Sequence, residues 1–246
     1  GNLLDSLGIR QPAWKKFTSL DEARSFAEIV QYPLLVRPSY VLSGAAMKVV
    51  WTQDQLKKYL TEATNVSPDH PIVMTKLLAD ASEVEAAAIG DGQSVVIGSV
   101  IEHIDNAGVH SGDAMMCIPP WRLDRETIET ITEYSRRIGV AMKIIGPFNI
   151  QFLVKKGQVL VIEANVRASR SMPFVSKFTG LNLISLAAQA MIGKKLPVDH
   201  SDIWLRKSGF GIKVPQFSFM QLEGADIVLG VEMQSTGEVA CFGQSF

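Results

Sequence analysis

Strand-forming segments follow one another through the middle of this 246-residue chain, and several of them have no helical segment between them. Runs rich in β-branched and aromatic residues predict strands at 72–78, 83–89, 95–104, 114–118, 148–154 and 159–167. Antiparallel strands can be joined by tight turns, whereas parallel neighbours need a long crossover connection. The sequence therefore predicts antiparallel sheet in an α+β fold rather than a doubly wound α/β fold.

Helix signals surround these strands. At the first of them, Ser19 can cap the helix while the side chain of Glu22 reaches back to the serine, which is a capping box. Comparable N-terminal signals, each followed by an apolar stripe at helical spacing, predict helices after Thr52, Asp124 and Asn182. Shorter strands are predicted at 33–37, 47–51 and 210–219, and a polar connector at 197–209.

The composition excludes several classes of protein. With 24 Lys and Arg against 25 Asp and Glu, the chain has no overall attraction for nucleic acid or an anionic membrane. No apolar run approaches the ~20 residues that span a bilayer, and the N-terminus has no export pattern. Cys117 and Cys241 are too few for a disulfide scaffold or a four-cysteine zinc site, which leaves one bridge or two buried thiols. We expect the two buried thiols, in a reducing compartment. Because Gly1 rather than Met begins the chain, we expect an excised part of a larger intracellular protein.

Polar residues gather on the last two strands of the central run. Strict alternation puts one set on a common face: Val159, Val161, Glu163, Asn165 and Arg167. If 155–157 is a three-residue loop, Gln151 becomes a diagonal neighbour of Glu163 on that face. A two-residue loop would instead put the two side chains on opposite faces.

This polar set has the chemistry of a magnesium site. Mg²⁺ prefers hard oxygen ligands, and the side chains of Gln151, Glu163 and Asn165 offer one carboxylate and two amide oxygens. Arg167 and Arg170 follow, with the geometry to bind phosphate oxygens. The alternative is an ordinary amphipathic edge strand whose polar face lies in water.

Three other segments carry candidate functional residues. A short apolar strand leads to Arg37 and a turn of small residues, 38–47, whose backbone N–H groups could bind phosphate; a plain strand-loop-strand is the alternative. Two histidines and three acids in 102–113 suggest metal binding or acid–base chemistry, or simply a solvated loop. Glu83 and Glu85 could reach a ribose, or they could be surface charge.

Taken in this order, the segments resemble the ATP-grasp superfamily, and specifically the large subunit of carbamoyl phosphate synthetase. The similarity covers nearly the whole chain. The motifs that carry it are VRPSYVLSGAAM (36–47), EHI (102–104), NAGVHSGD (106–113), GPFNIQF (146–152), IEANVRASRS (162–171), PFVSK (173–177) and STGEV (235–239).

The resemblance implies a fold with a leading segment (1–12), a small α+β lid (13–76) and a catalytic subdomain (77–246). It also implies the second half of the large subunit, which uses ATP and two Mg²⁺ or Mn²⁺ ions to phosphorylate carbamate. The full protein would then contain a bicarbonate-phosphorylating half and work with a glutaminase, in the cytoplasm or, for a eukaryotic ammonia-using form, in mitochondria. Alternatives are another ATP-grasp carboxylate ligase, such as a biotin carboxylase relative, or a nucleotide-binding fragment that is inactive alone.

Site roles follow from the same resemblance. Gln151 and Glu163 would hold one metal ion and Glu163 with Asn165 the second, while Arg167 and Arg170, with Asn165, would steady carbamate and the transferred phosphoryl group. Nucleotide contacts are implied for Arg37, Ser43, Gly44, Lys76, Glu83, Val109, His110 and Ser111. A potassium site is implied near Glu83, His103, Asn106 and Val109. Ala87 and Ala114 stand where relatives often carry an acid and a serine.

Overall fold

Two antiparallel sheets organise the chain. The computed structural model describes residues 1–38, 47–66, 71–78, 80–197, 208–218, 229–231 and 233–245. The smaller sheet contains β1 (Trp14–Phe17), β2 (Leu34–Pro38), β3 (Lys48–Val50) and β4 (Ile72–Lys76), in the order β1-β4-β2-β3. The larger contains β5 (Ser82–Asp91), β6 (Val95–Asn106), β7 (Met116–Ile118), β8 (Ile145–Lys155), β9 (Gln158–Asn165), β10 (Phe210–Gln216) and β11 (Gly237–Gly243). Its order is β11-β10-β7-β6-β5-β8-β9, and all its pairs are antiparallel, so the α+β prediction is confirmed.

The helices begin at the capping residues that the sequence marks. Ser19 Oγ accepts from Glu22 N at 3.3 Å, and Asp124 Oδ1 accepts from Thr127 N at 2.7 Å. The helices are α1 (Asn2–Ser6), α2 (Leu20–Val30), α3 (Gln53–Val66), α4 (Arg125–Ala141), α5 (Ser171–Thr179) and α6 (Leu183–Met191). α1 and α5 were not predicted. None of the helices in the described ranges has the length and apolar character to span a bilayer.

Each sheet has its own apolar core. The smaller sheet packs on α2 and α3, with the buried side chains of Phe17, Ala27, Leu34, Val36, Leu56, Leu60 and Met74. The larger sheet is covered on both faces. On the α4 face the core contains Val84, Ile131, Ile138, Phe148, Ile150 and Phe152. On the α5 and α6 face it contains Ala87, Ile101, Met116, Met172, Phe174 and Leu183. Burying such a side chain contributes ~1.5–3 kcal/mol, and polar groups on these central strands are desolvated as well.

The β8–β9 hairpin differs from the predicted register. Its turn has two residues, Lys156 and Gly157, with φ of 49° and 74°, and Lys155 pairs with Gln158. Positive φ at both central positions matches the primed turns that fit the twist of a hairpin. The three-residue loop is therefore wrong.

A β-bulge at Ile162 nevertheless restores the expected neighbours. The register shifts there, because one extra residue on β9 lies between the Phe152–Val161 and Gln151–Glu163 pairs. Val159 and Val161 consequently belong to the α4 core, and the prediction that they share a face with Glu163 is wrong. Gln151 and Glu163 are direct partners rather than diagonal ones.

Candidate functional site

Two adjoining clefts lie between the two sheets. The first, here called the apolar cleft, has a volume of about 150 Å³, and the second, the arginine cleft, about 360 Å³. Both clefts are lined by Arg37, Met47, His110, Ser111, Gln151 and Glu163. The apolar cleft adds Leu35, Lys76, Leu78, Glu83, Val109, Leu153 and Ile162. The arginine cleft adds Glu85, Asn149, Asn165, Arg167, Arg170 and Lys213.

A row of polar side chains crosses three neighbouring strands at these clefts. Glu85 on β5 pairs with Gln151 on β8, which pairs with Glu163 on β9. Two residues along, Asn149 pairs with Asn165. Directly paired residues have Cβ atoms ~4.5–5.5 Å apart, so their oxygens can converge on one ligand. β9 is an edge strand, as the solvated-strand alternative required, but the row continues inward to buried Glu85 and Gln151.

The donor set of this row fits a hard divalent cation. Gln151 Nε2 donates to Ser111 Oγ at 2.9 Å, which leaves the Gln151 Oε1 oxygen available. Asn149 Oδ1 is buried and has no hydrogen-bond partner among the residues described. Within the same residues, no group of three or more His, Cys, Asp or Glu side chains could hold a metal. The chain thus offers carboxylate and amide oxygens to a metal ion, and a further ligand must complete the coordination of that ion. This suits Mg²⁺ bound with phosphate.

The two glutamates of β5 are not surface charges. Glu83 is 4% exposed and Glu85 1%. Glu83 Oε2 accepts from Gly108 N at 3.4 Å, and burial raises the pKa of Glu83 to about 7 although this hydrogen bond opposes the rise. Burial also lowers the pKa of His103 to about 3. Its Nδ1 atom, which lies 3.9 Å from Glu83 Oε1, therefore belongs to a neutral imidazole. The surface-charge interpretation is wrong for both glutamates.

His110 lies in the wall shared by the two clefts. Gly112 N donates to His110 Nδ1 at 3.0 Å, and His110 N donates to Gly230 O at 2.7 Å. Burial lowers the pKa of His110, which is consistent with an imidazole nitrogen that accepts a hydrogen bond. The solvated-loop alternative is therefore wrong for this residue.

The two arginines of the arginine cleft are held differently. Arg170 immediately precedes α5, and its Nη1 donates to Ser235 Oγ at 2.8 Å while Nη2 donates to Ser235 O at 3.3 Å. Arg167 is exposed and donates to the neighbouring Ala168 O at 3.3 Å. Among the described residues, the Arg170 guanidinium is thus anchored to a residue far away in the sequence, whereas Arg167 bonds to its sequence neighbour.

The smaller sheet contributes two cations from the opposite side. Arg37 on β2 lines both clefts. Lys76 at the end of β4 lines the apolar cleft, but its Nζ donates to the backbone oxygens of Gln31 and Tyr32 at 3.0 and 2.9 Å. The predicted nucleotide contacts Ser43 and Gly44 lie outside the described residues.

Lys213 is a site residue that the sequence did not reveal. It is 1% exposed on β10, donates from Nζ to Ser111 O at 3.1 Å and lies 3.8 Å from Glu238 Oε2. Burial lowers its pKa, and the nearby carboxylate of Glu238 opposes this. A lysine between Ile212 and Val214 has the pattern of a solvated strand face. Only the position of β10 between β7 and β11 shows that this side chain is buried.

Comparison with known proteins places the chain in a family. Residues 5–199 match the family described as "Carbamoyl-phosphate synthase L chain, ATP binding domain". The chain is 54% identical over 242 residues to the multifunctional protein pyr-3 of Neurospora crassa, covering 98% of this chain and 13% of that protein. It is 47% identical over 248 residues to the mitochondrial arginine-specific carbamoyl phosphate synthase large chain of the same fungus, covering 98% of this chain and 21% of that one.

A solved structure shows the same fold at low identity. The biotin carboxylase domain of Hydrogenobacter thermophilus 2-oxoglutarate carboxylase aligns with a TM-score of 0.79 and 14% identity, covering 99% of this chain and 61% of that chain. The fold is therefore ATP-grasp, as the motifs indicated, and the curated relatives are several times longer than this chain. The chain belongs to the family of carbamoyl-phosphate synthase L chain ATP-binding domains.

Proposed function

We propose that the protein containing this chain uses it to bind Mg-ATP and to phosphorylate carbamate, forming carbamoyl phosphate and ADP. The observation that carries this proposal is the direct pairing of Gln151 with Glu163 beside a cleft that also contains Arg167 and Arg170. Such a site combines oxygen ligands for a nucleotide-bound metal with cations for a small anionic substrate.

The apolar cleft suits the nucleoside. Leu153 and Ile162 would contact the base, and the Glu83 carboxyl would bind the ribose hydroxyls. A nucleotide needs a site of ~300 Å³ or more, so its phosphates would extend into the arginine cleft, which shares Arg37 and His110. Lys76, Val109 and Ser111 would complete the nucleotide contacts, together with the backbone of Ser43 and Gly44.

The residues that would hold two Mg²⁺ or Mn²⁺ ions are Gln151, Glu163 and Asn165. When bound, these ions neutralise charge on the phosphoryl group during transfer. A potassium ion would lie near Glu83 and His103, with Asn106 and Val109. Buried Glu83 and the unpartnered His103 Nε2, among the described residues, support a polar ligand there.

The arginines would orient the reacting groups. A carbamate oxygen attacks the γ-phosphorus, the bond from that phosphorus to the bridging β–γ oxygen breaks, and ADP leaves. Arg167 and Arg170 would hold the carbamate and the transferred oxygens in line, with Asn165 beside them, so that catalysis rests on positioning and charge. Carbamate decomposes in water. The smaller sheet, as the lid of residues 13–76, would therefore close over the catalytic subdomain, 77–246, with 1–12 as the leading segment.

The rest of the parent protein would supply the substrate. We expect a bicarbonate-phosphorylating half and a glutaminase subunit or domain, and the name "multifunctional protein" of a relative supports such neighbours. The pyrimidine or the arginine pathway, and with it the cytoplasm or the mitochondrion, would follow from which form the parent is. The runner-up is another ATP-grasp carboxylate ligase, which the fold match to a biotin carboxylase domain supports.

The reverse partial reaction tests the proposal. The full-length protein should convert ADP and carbamoyl phosphate to ATP in the presence of Mg²⁺, measured with a coupled hexokinase assay. Absence of ATP formation would refute carbamate phosphorylation. The isolated chain should bind Mg-ADP with feeble or no turnover, and calorimetry without binding heat at millimolar nucleotide would contradict nucleotide binding by this chain alone.

A further inference from the structure

Hydrogen bonds to Ser235 anchor the Arg170 guanidinium. Ser235, just before β11, accepts hydrogen bonds from two Arg170 N–H groups, one at its hydroxyl oxygen and one at its backbone oxygen. A guanidinium has five N–H donors in a fixed fork. Donors not used on this side remain for an anion in the arginine cleft, which Arg170 lines.

Ser235 is itself fixed by buried partners. It is 6% exposed, and its Oγ donates to Gly112 O at 2.8 Å. Its backbone N–H donates to Asp113 Oδ1 at 2.8 Å, and Asp113 Oδ2 accepts from Gln234 N at 2.8 Å. A hydroxyl has one proton, and here Gly112 O receives it. The Ser235 oxygen must therefore accept from Arg170, which fixes the direction of the hydrogen bond.

We propose that Ser235 is a positioning residue that sets the Arg170 guanidinium for the anionic substrate, with Asp113 fixing Ser235. This inference rests on the proposed function of the same cleft. An arginine side chain loses much conformational entropy when it is ordered. An anchor within the protein restricts the side chain in advance, so less entropy is lost when the substrate binds. Arg167, whose hydrogen bond within the described residues goes to its neighbour Ala168, provides the internal contrast.

The first test is Ser235→Ala in the full-length protein, assayed as ATP formation from ADP and carbamoyl phosphate. A hydrogen bond to a charged group is worth enough to predict a rise of about tenfold in the KM for carbamoyl phosphate. The KM for ADP should stay within about twofold, because no nucleotide contact is removed.

Thr236→Ala is the matched control. Thr236 follows Ser235 directly, and its Oγ1 donates to Gln216 O at 3.2 Å and accepts from Ser218 N at 3.0 Å. The control removes a hydroxyl with a similar number of hydrogen bonds from the same segment, away from Arg170. An equal rise in KM in both variants would mean a general loosening of this segment and would overturn the proposal.

A double-mutant cycle separates positioning from a structural role. If Ser235 acts through Arg170, Ser235→Ala should cause no further loss of kcat/KM in an Arg170→Ala background. A further tenfold loss there, or an unchanged KM in the single variant, would overturn the proposal. Should Ser235→Ala fail to fold, Ser235→Cys takes its place and must raise the KM for carbamoyl phosphate without raising that for ADP. If the unmutated protein forms no ATP, the proposed function fails instead.

Discussion

The two sheets contribute to the site in different ways. On the larger sheet, Gln151 and Glu163 are direct cross-strand partners, and helices cover both faces of that sheet. On the smaller sheet, Arg37 faces the clefts, but Lys76 donates to the backbone oxygens of Gln31 and Tyr32 in its own sheet region. The polar row of the larger sheet is thus fixed by strand pairing, whereas the smaller sheet has a cation whose hydrogen bonds go to nearby backbone oxygens.

The separate cores explain how this division can work. The smaller sheet buries Leu34, Val36 and Met74 against its own helices rather than against the larger sheet. An element with its own core can shift as a unit, whereas the central strands of the larger sheet are fixed from both sides. Substitutions on the larger sheet should therefore act on chemistry and stability, and those on the smaller sheet on nucleotide affinity.

The largest expected effect is at the paired row. Glu163→Gln replaces the exposed carboxylate of the row with an amide of the same shape, so the fold should be unchanged while metal-dependent turnover falls. We expect a loss on the order of a thousandfold in ATP formation from ADP and carbamoyl phosphate by the full-length protein. Glu133→Gln, on the exposed face of α4, is the control and should have wild-type activity. Undiminished turnover of Glu163→Gln would refute the assignment of the row.

Local sequence patterns predict some features of the paired row and not others. Nine of the eleven strands in the described residues, the capped helices and the residue types of the site follow from local patterns, because alternation and capping are encoded by near neighbours. The sequence does not predict β1 and β11. The register does not follow from local patterns, since it depends on a two-residue turn together with a bulge at Ile162. These two departures from the predicted register compensate, so Gln151 and Glu163 are neighbours as predicted, although they pair directly rather than diagonally.

Burial was harder to predict than pairing. Glu83, Glu85 and Lys213 have the local pattern of solvated strand residues, yet each is at most 4% exposed. Their environment comes from elements far away in the sequence, and no local pattern reports it. The sequence does not predict α5 for a different, local reason: its N-cap, Arg170, makes no side-chain capping hydrogen bond.

The second expected effect concerns the lysine that the larger sheet buries. Lys213→Met removes an ammonium that donates to Ser111 O and faces Glu238, leaving both without this partner. Removing the buried partner of this partly exposed pair should destabilise the chain by about 3 kcal/mol, measured by urea unfolding at pH 7. Lys156→Met, at the exposed hairpin turn, is the control. A second change, Glu238→Gln, should recover part of the loss in Lys213→Met; a loss that grows instead would argue against a charge pair.

The same variant should change the pH dependence of stability. Burial lowers the pKa of Lys213 in the folded chain, so above that pKa the unfolded chain holds a proton that the folded chain has released. The free energy of unfolding therefore gains a rising contribution between the lowered pKa and the ordinary lysine value. Lys213→Met should lack that rise in unfolding measured from pH 8 to 10, whereas Lys156→Met should keep it. An identical slope in both variants would mean that burial does not perturb Lys213.

The third effect concerns the smaller sheet. Arg37→Met removes a cation that lines both clefts, so Mg-ADP affinity should fall by about thirtyfold through the lost charged hydrogen bonds. Calorimetry with the full-length protein measures this change, and Lys16→Met on exposed β1 is the control. The stability of the chain should change little. A destabilisation comparable with that of Lys213→Met would remove the distinction between the two sheets.

The smallest effect is expected at Lys76. Its Nζ must leave the backbone oxygens of Gln31 and Tyr32 before it can reach a phosphate, so much of any gain is offset by the hydrogen bonds it gives up. Lys76→Met should therefore weaken Mg-ADP binding by only about threefold, measured beside Arg37→Met in the same calorimeter. A loss as large as that of Arg37→Met would mean that Lys76 binds the nucleotide as strongly as Arg37 does. The smaller sheet would then be as preorganised for its ligand as the paired row on the larger one.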